Sequence, residues 1–143
     1  MSLEEIFTEQ IKRRQAATFA LVQHWGGRLE SDARQSASWN DRTGHARQNI
    51  QGGAEQRGDI LILYLSHGMR YGTFLETGTK PHVIRAKSKK GLYWGATRAN
   101  GKPLIVRKVN HPGTKARPVI EPTMRRNLNQ IKSDLKELWG GRQ

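Results

Sequence analysis

Ile60-Leu61-Ile62-Leu63-Tyr64-Leu65, entered through Asp59 and closed by His67 and Gly68, is the stretch of this chain on which the fold turns. Six consecutive apolar side chains between turn formers, rich in β-branched and long aliphatic residues, are too few for a helix and suit a buried strand. The run is expected at the centre of a sheet.

Upstream, Gly52, Gly53 and Gly58 read as a loop leading into that strand. Residues 44–50 are polar, and a short helix there has only Ala46 and Ile50 on its apolar face. Residues 40–44 are turn-like, because their side chains compete for backbone hydrogen bonds. From Leu3 to Trp25 the apolar positions Leu3, Ile6, Phe7, Ile11, Ala17, Phe19, Leu21, Val22 and Trp25 fall mostly at helical spacing, with Ser2 as a cap. Gly26-Gly27 is expected to end that helix, leaving residues 28–39 as a second, weaker one.

Downstream, Tyr71, Phe74 and Leu75 are spaced for a short helical turn that ends at Gly78. Residues 81–85 and 92–95 read as two short strands facing each other across a basic tip at residues 87–91, and residues 104–109 extend the same ribbon. After Pro118, the residues Val119, Ile120, Met124, Leu128, Ile131, Leu135 and Leu138 recur at steps of three and four, which predicts an amphipathic helix. Pro122 sits in its first turn, where a missing N–H is no loss, and Gly140-Gly141 is its stop. Its Met124, Leu128, Ile131 and Leu135 face is expected to bury against the sheet. The predicted class is α+β: a small antiparallel or mixed sheet with a projecting basic β-hairpin, packed against N-terminal and C-terminal helices. At 143 residues the chain has the length of one domain, expected to span residues 1–143.

Lys and Arg number 25 against 12 Asp and Glu, a formal net charge of +13, which points to nucleic acid or an acidic neighbour as partner. No run approaches the roughly 20 apolar residues of a membrane span. Glu4 and Glu5 stand where a signal peptide carries positive charge, so the expected setting is a cytoplasm. The absence of cysteine excludes disulfides, thiol chemistry and finger-type zinc sites.

No spacing joins chemistry-bearing residues into a site. His24, His45, His67, His82 and His111 are scattered and read as isolated surface or loop residues. Gly26-Gly27 follows a helix rather than a strand and lacks the lysine of a phosphate-binding loop. No catalytic residue, metal site or cofactor is expected, and the chain does not read as an enzyme. The basic stretch says more: Arg85, Lys87, Lys89, Lys90, Arg98, Lys102 and Arg107 surround Tyr93 and Trp94. Cations interleaved with aromatics suit phosphate neutralisation plus stacking. A solvated arm whose Tyr93 and Trp94 dock on the core or on a neighbouring protein has the same composition, and both uses stay open.

Four short motifs stand in order along the chain. They are Asp41-Arg42-Thr43-Gly44 followed by Ile50; Tyr71-Gly72-Thr73-Phe74-Leu75-Glu76-Thr77-Gly78-Thr79; His111-Pro112-Gly113-Thr114 beyond the basic hairpin; and Arg117-Pro118-Val119-Ile120-Glu121-Pro122. Together they resemble the minor tail-component family of tailed bacteriophages and prophages, described as head-tail joining, neck or tail-completion proteins, over about residues 40–125. The resemblance implies a sheet flanked by helices and a ring-forming subunit, often hexameric, at the connector or the head-proximal end of the tail. It implies as partners other copies of the chain, connector or tail-tube proteins, and DNA in the lumen. Its location would be the virion neck or tail, and the host cytoplasm during assembly. Gly44, Gly78, Pro112, Gly113, Pro118 and Pro122 are expected to shape turns, and Glu76 to act as a salt bridge or backbone cap. The arm from Arg85 to Arg107 is expected to face a neighbouring subunit or DNA. A small nucleic-acid-binding protein is the alternative.

Overall fold

In the computed structural model, which describes residues 1–140 and all of their side chains except those of Trp94 and Ala96, helix α1 runs from Leu3 to Ser36. A one-turn helix α2 (His45–Gln48) leads into strands β1 (Ile50–Arg57) and β2 (Ile60–His67), followed by helix α3 (Gly72–Thr77). Strands β3 (His82–Arg85), β4 (Leu92–Thr97), β5 (Pro103–Val106) and β6 (Lys108–His111) come next, and helix α4 (Ile120–Gly140) closes the order. The fold is α+β, with the N-terminal and C-terminal helices packed against a small antiparallel sheet.

Helix α1 does not stop at Gly26-Gly27: of residues 28–39, expected as a separate weak helix, 28–36 are its continuation and 37–39 lie beyond its end. The glycines serve a close crossing instead. A Cβ on Gly26 would collide with the backbone of Gly53, and a Cβ on Gly52 with the carbonyl of Gly26. Gly52 and Gly53, expected in a loop, are therefore strand residues of β1 that let α1 lie directly on the backbone. On the far side of Gly53 the Tyr64 ring fills the space a side chain would take, since a Cβ there would lie 2.7 Å from Tyr64 Oη. Gly58 and Asp59 make the two-residue turn that sets β1 against β2.

The run at residues 60–65 is a strand, but it is half of a two-stranded hairpin rather than the centre of a sheet. Helix cover reaches one face only. Leu63 and Leu65 face the core, whereas Ile60 is 65% exposed on the other face. The core gathers Trp25, Leu29, Ala33, Ala37, Trp39, Ile50, Leu65, Val119 and Ile131.

Helix α4 packs antiparallel along α1 more than on the sheet, as three cross-links show. Trp139 Nε1 donates to Thr18 Oγ1 (3.0 Å), Trp25 Nε1 to Asp134 Oδ2 (2.8 Å), and Asn127 Nδ2 to Asp32 Oδ2 (2.7 Å). Ile131 is buried, with Met124 and Leu135 at the edge of the core, but Leu128, expected to be buried, is 42% exposed. Because α1 takes the middle position, only part of the α4 stripe has anything to meet. Gly140 belongs to the helix, and Gly141 lies outside the described residues.

The basic arm is built differently from the expected ribbon. Residues 82–85 pair with 108–111, and β4 pairs with β5, so the two expected strands do not face each other. The 104–109 stretch divides at Arg107 between two ladders. The tip is the turn at residues 98–101, where Gly101 N–H donates to the Arg98 carbonyl (2.9 Å). Asn100-Gly101 is the stronger turn former, so residues 87–91 become a bend partway along the arm.

Adjacent glycines of α1 should respond oppositely to the same change. Gly27 has open space around it, so Gly27→Ala should stabilise by up to about 1 kcal/mol through helix propensity. Gly26→Ala should destabilise by about 1–3 kcal/mol, as overpacking against a backbone does. Urea melts of both variants check the pair, and equal effects would exclude the close crossing.

Candidate functional site

The motif residues converge on one carboxylate. Glu76 is the fifth residue of α3, and its Oε1 accepts hydrogen bonds from the backbone N–H of Val119 (2.9 Å) and of Ile120 (3.1 Å), the opening of α4. His67 Nε2, at the end of β2, lies 2.9 Å from the same oxygen. A helix start leaves its first N–H groups without partners and carries partial positive charge. Glu76 supplies both an acceptor and the opposite charge from a distant part of the chain. Pro122, in the first turn of α4, has no N–H to satisfy. Burial alone would raise the Glu76 carboxyl. The hydrogen bonds from Val119, His67 and Ile120 outweigh it and hold the carboxyl below its ordinary value.

The backbone on either side of Glu76 is tied to the same segment. Arg117 N–H donates to the Leu75 carbonyl (2.7 Å), and Thr79 and Thr114 exchange backbone hydrogen bonds of 3.0 Å each. Gly78 (φ 71°) and Gly113 (φ 85°) make these approaches, both in the left-handed region. A Cβ on Gly78 would lie 2.5 Å from the Thr114 carbonyl, and one on Gly113 would strike the carbonyl of Thr79. Pro112 and Pro118 are exposed on the two sides of this junction.

The Asp41-Arg42-Thr43-Gly44 motif secures the other end of α1. Gly44 stands at the N-cap of α2, which presents Arg47. Arg47 reaches the carbonyl of Arg34 and those of Ala37 (3.1 Å) and Trp39 (3.3 Å), while Asp41 Oδ2 accepts from its Nε at 2.7 Å. The guanidinium thus occupies carbonyls that the helix end leaves free. Nothing in the sequence reading singled out Arg47. The available signal was an acid six residues before an arginine in a mostly polar turn.

Between these motifs lies a groove of about 760 Å³. Trp39, Tyr71, Phe74 and Leu75 supply its apolar lining, with Arg42, Lys115 and Arg117 around it. Phe74 is 57% exposed here, while Leu75 packs against the core.

The arm residues stand apart from this junction. Arg85, Lys87, Lys89, Lys90, Arg98, Lys102 and Arg107 are exposed, and none has an ion-pair partner among the described residues. Tyr93 is exposed opposite Ile105; the side chain of Trp94 lies outside the described residues. The histidines are less isolated than their spacing suggested. His67 is engaged by Glu76, and His82 stacks on His111 with ring centroids 4.9 Å apart, because β3 and β6 place them opposite each other. Among the described residues no three His, Asp or Glu side chains gather closely enough to hold a metal ion. Comparison with protein-family models, with curated proteins and with solved structures found no match to this chain.

Glu76→Gln should cost about 1–3 kcal/mol at neutral pH, the range for a charged hydrogen bond and a helix cap. The folded chain lowers the Glu76 pKa, so the stabilisation is complete above the ordinary value of 4.5 and is lost as the pH falls through the lowered one. Thermal melts of both proteins from neutral to acid pH should show the gap narrowing on the acid side. A gap independent of pH would exclude the ionised cap.

Proposed function

We propose that this chain is a virion structural protein of a tailed bacteriophage or prophage, completing the head-tail joint or the head-proximal end of the tail as a ring. The observation that carries the proposal is the Glu76 junction. The motifs at residues 71–79 and 117–122, which carry the resemblance to the minor tail-component family, are hydrogen-bonded into one unit. Residues 111–114 join that unit through the Thr79–Thr114 bridge. Motifs that meet in space as one built feature support a shared fold more strongly than four short matches spread along a sequence.

In this reading the chain carries no chemistry, and its surfaces do the work. Its partners are further copies of itself, in a ring that family members often build from six, and connector or tail-tube proteins. The arm faces a neighbouring subunit or the DNA in the lumen. The protein acts in the host cytoplasm during assembly and resides in the virion neck or tail.

A second reading, a small nucleic-acid-binding protein, is favoured by one specific observation. Residues 77–120 hold eleven Lys and Arg and no Asp or Glu, so the arm presents positive charge without internal neutralisation. Binding to DNA would then weaken linearly in log salt, with a slope of about −0.9 per phosphate contacted.

Replacing residues 87–102 by a short turn separates these uses. The ladders of the arm are internal to it, so the shortened chain should keep its thermal melting. Electron microscopy of particles assembled with it should show heads and tails that fail to join. Normal infectious particles would exclude an assembly role for the arm, and loss of a steep salt-dependent DNA affinity alone would favour the second reading.

A further inference from the structure

Among the described residues, the first three turns of α1, residues 3–13, make no tertiary hydrogen bond or ion pair; the first such contact is Arg14 donating to the Trp139 carbonyl (2.8 Å). Every residue from Met1 to Ala16 is exposed, and the helix start is held by local devices alone. In a capping box, Ser2 Oγ accepts from the Glu5 N–H (3.2 Å) while Glu5 Oε2 accepts from the Ser2 N–H (2.6 Å). One side of this projecting rod carries Leu3, Ile6, Phe7 and Ile11, spaced as the anchors of a helix that beds into a groove, and Phe7 is 59% exposed. Residues 1–11 contain Glu4, Glu5 and Glu9 and no Lys or Arg; Glu9 pairs with Arg13 (3.0 Å) and Glu5 closes the capping box, which leaves Glu4 beside the stripe without an ion pair among the described residues.

The groove between Trp39, Tyr71 and Phe74 is complementary in both respects. It is apolar, and it is bordered by Arg42, Lys115 and Arg117, while Asp41 beside it is already engaged by Arg47. The stripe and the groove cannot meet within one chain. Helix α1 is unbroken, and about 38 Å of rigid helix separate Ile11 from Ser36, just before Trp39 at the groove. We infer that the apolar stripe of residues 3–11, flanked by Glu4, docks into the groove of a second copy of this chain. The contact is head-to-tail: each copy offers a stripe at one end and a groove at the other, the heterologous kind of interface that closes into a ring when its rotation permits. The inference rests on the ring reading above and names the contact that would build the ring.

Two single variants and their mixture test it by sedimentation velocity of the full chain over a concentration series. Phe7→Ser removes a stripe anchor and Phe74→Ser a groove residue; both side chains are mainly exposed, and circular dichroism with thermal melting checks that each variant is folded. The unmodified chain should form concentration-dependent oligomers, and each variant alone should lose at least tenfold in association. Their mixture should form a 1:1 dimer and no larger species, because one intact stripe and one intact groove remain between the two. Glu4→Lys and Arg42→Glu should each weaken association, and their combination in one chain should restore it.

Oligomers formed undiminished by Phe74→Ser alone would mean that stripe pairs with stripe and would overturn the inference while leaving a ring possible. A mixture that stays monomeric would overturn it as well. A chain monomeric at every concentration would exclude self-docking, and the head-tail reading would then be decided by the particles assembled with the shortened arm.

Discussion

A single carboxylate oxygen holds together parts of the chain more than forty residues apart. Glu76 Oε1 takes two backbone N–H groups at the opening of α4 and faces His67 at the end of β2. Without it, the start of α4 would present unpaired donors beside the buried Val119, and a buried unpaired donor is among the more expensive defects a fold can carry. The whole course of residues 77–118 depends on this closure. However long the arm between them, its two ends are returned to the same place by the Leu75–Arg117 and Thr79–Thr114 hydrogen bonds.

The second constraint is the absence of side chains where α1 crosses β1. Gly26, Gly52 and Gly53 bring a helix and a strand into backbone contact, which seats Trp25 and Leu29 deep in the core. The same glycines show where sequence reading falls short. A glycine pair is a usual helix stop and glycine clusters are usual loops, and nothing local separates those uses from a site of close approach. The partner that decides between them lies about 26 residues further on, from Gly26 to Gly52 or Gly53, and becomes visible only in three dimensions.

Elements with strong periodicity were legible. The α4 stripe, the strand at residues 60–65, the short α3 and the α+β class all follow from patterns that need no knowledge of neighbours. What each element packs against did not follow. Leu128 belongs to a regular stripe yet is half-exposed, because stripe width reports helicity and not the width of the surface that covers it. In the arm, three short apolar runs and the single Val109 are separated by like charges, so composition could not choose among pairings; the Asn100-Gly101 turn was the one local cue to the observed tip. For the candidate site, Glu76 was legible as a cap because it is the lone acid in its turn. Arg47 and the groove were not, since both arise from segments brought together only by folding.

The uniform sign of residues 77–120 has a mechanical side. Two such arms brought together repel one another over roughly the 8 Å that physiological salt leaves unscreened, and over about 30 Å in 0.01 M salt. Crowding several of them around a common axis would store electrostatic energy in their separation, as a spring does. The rest length of such a spring would be set by ionic strength and by any polyanion lying between the arms, so the splay of arms held in that way would gauge what occupies the space between them.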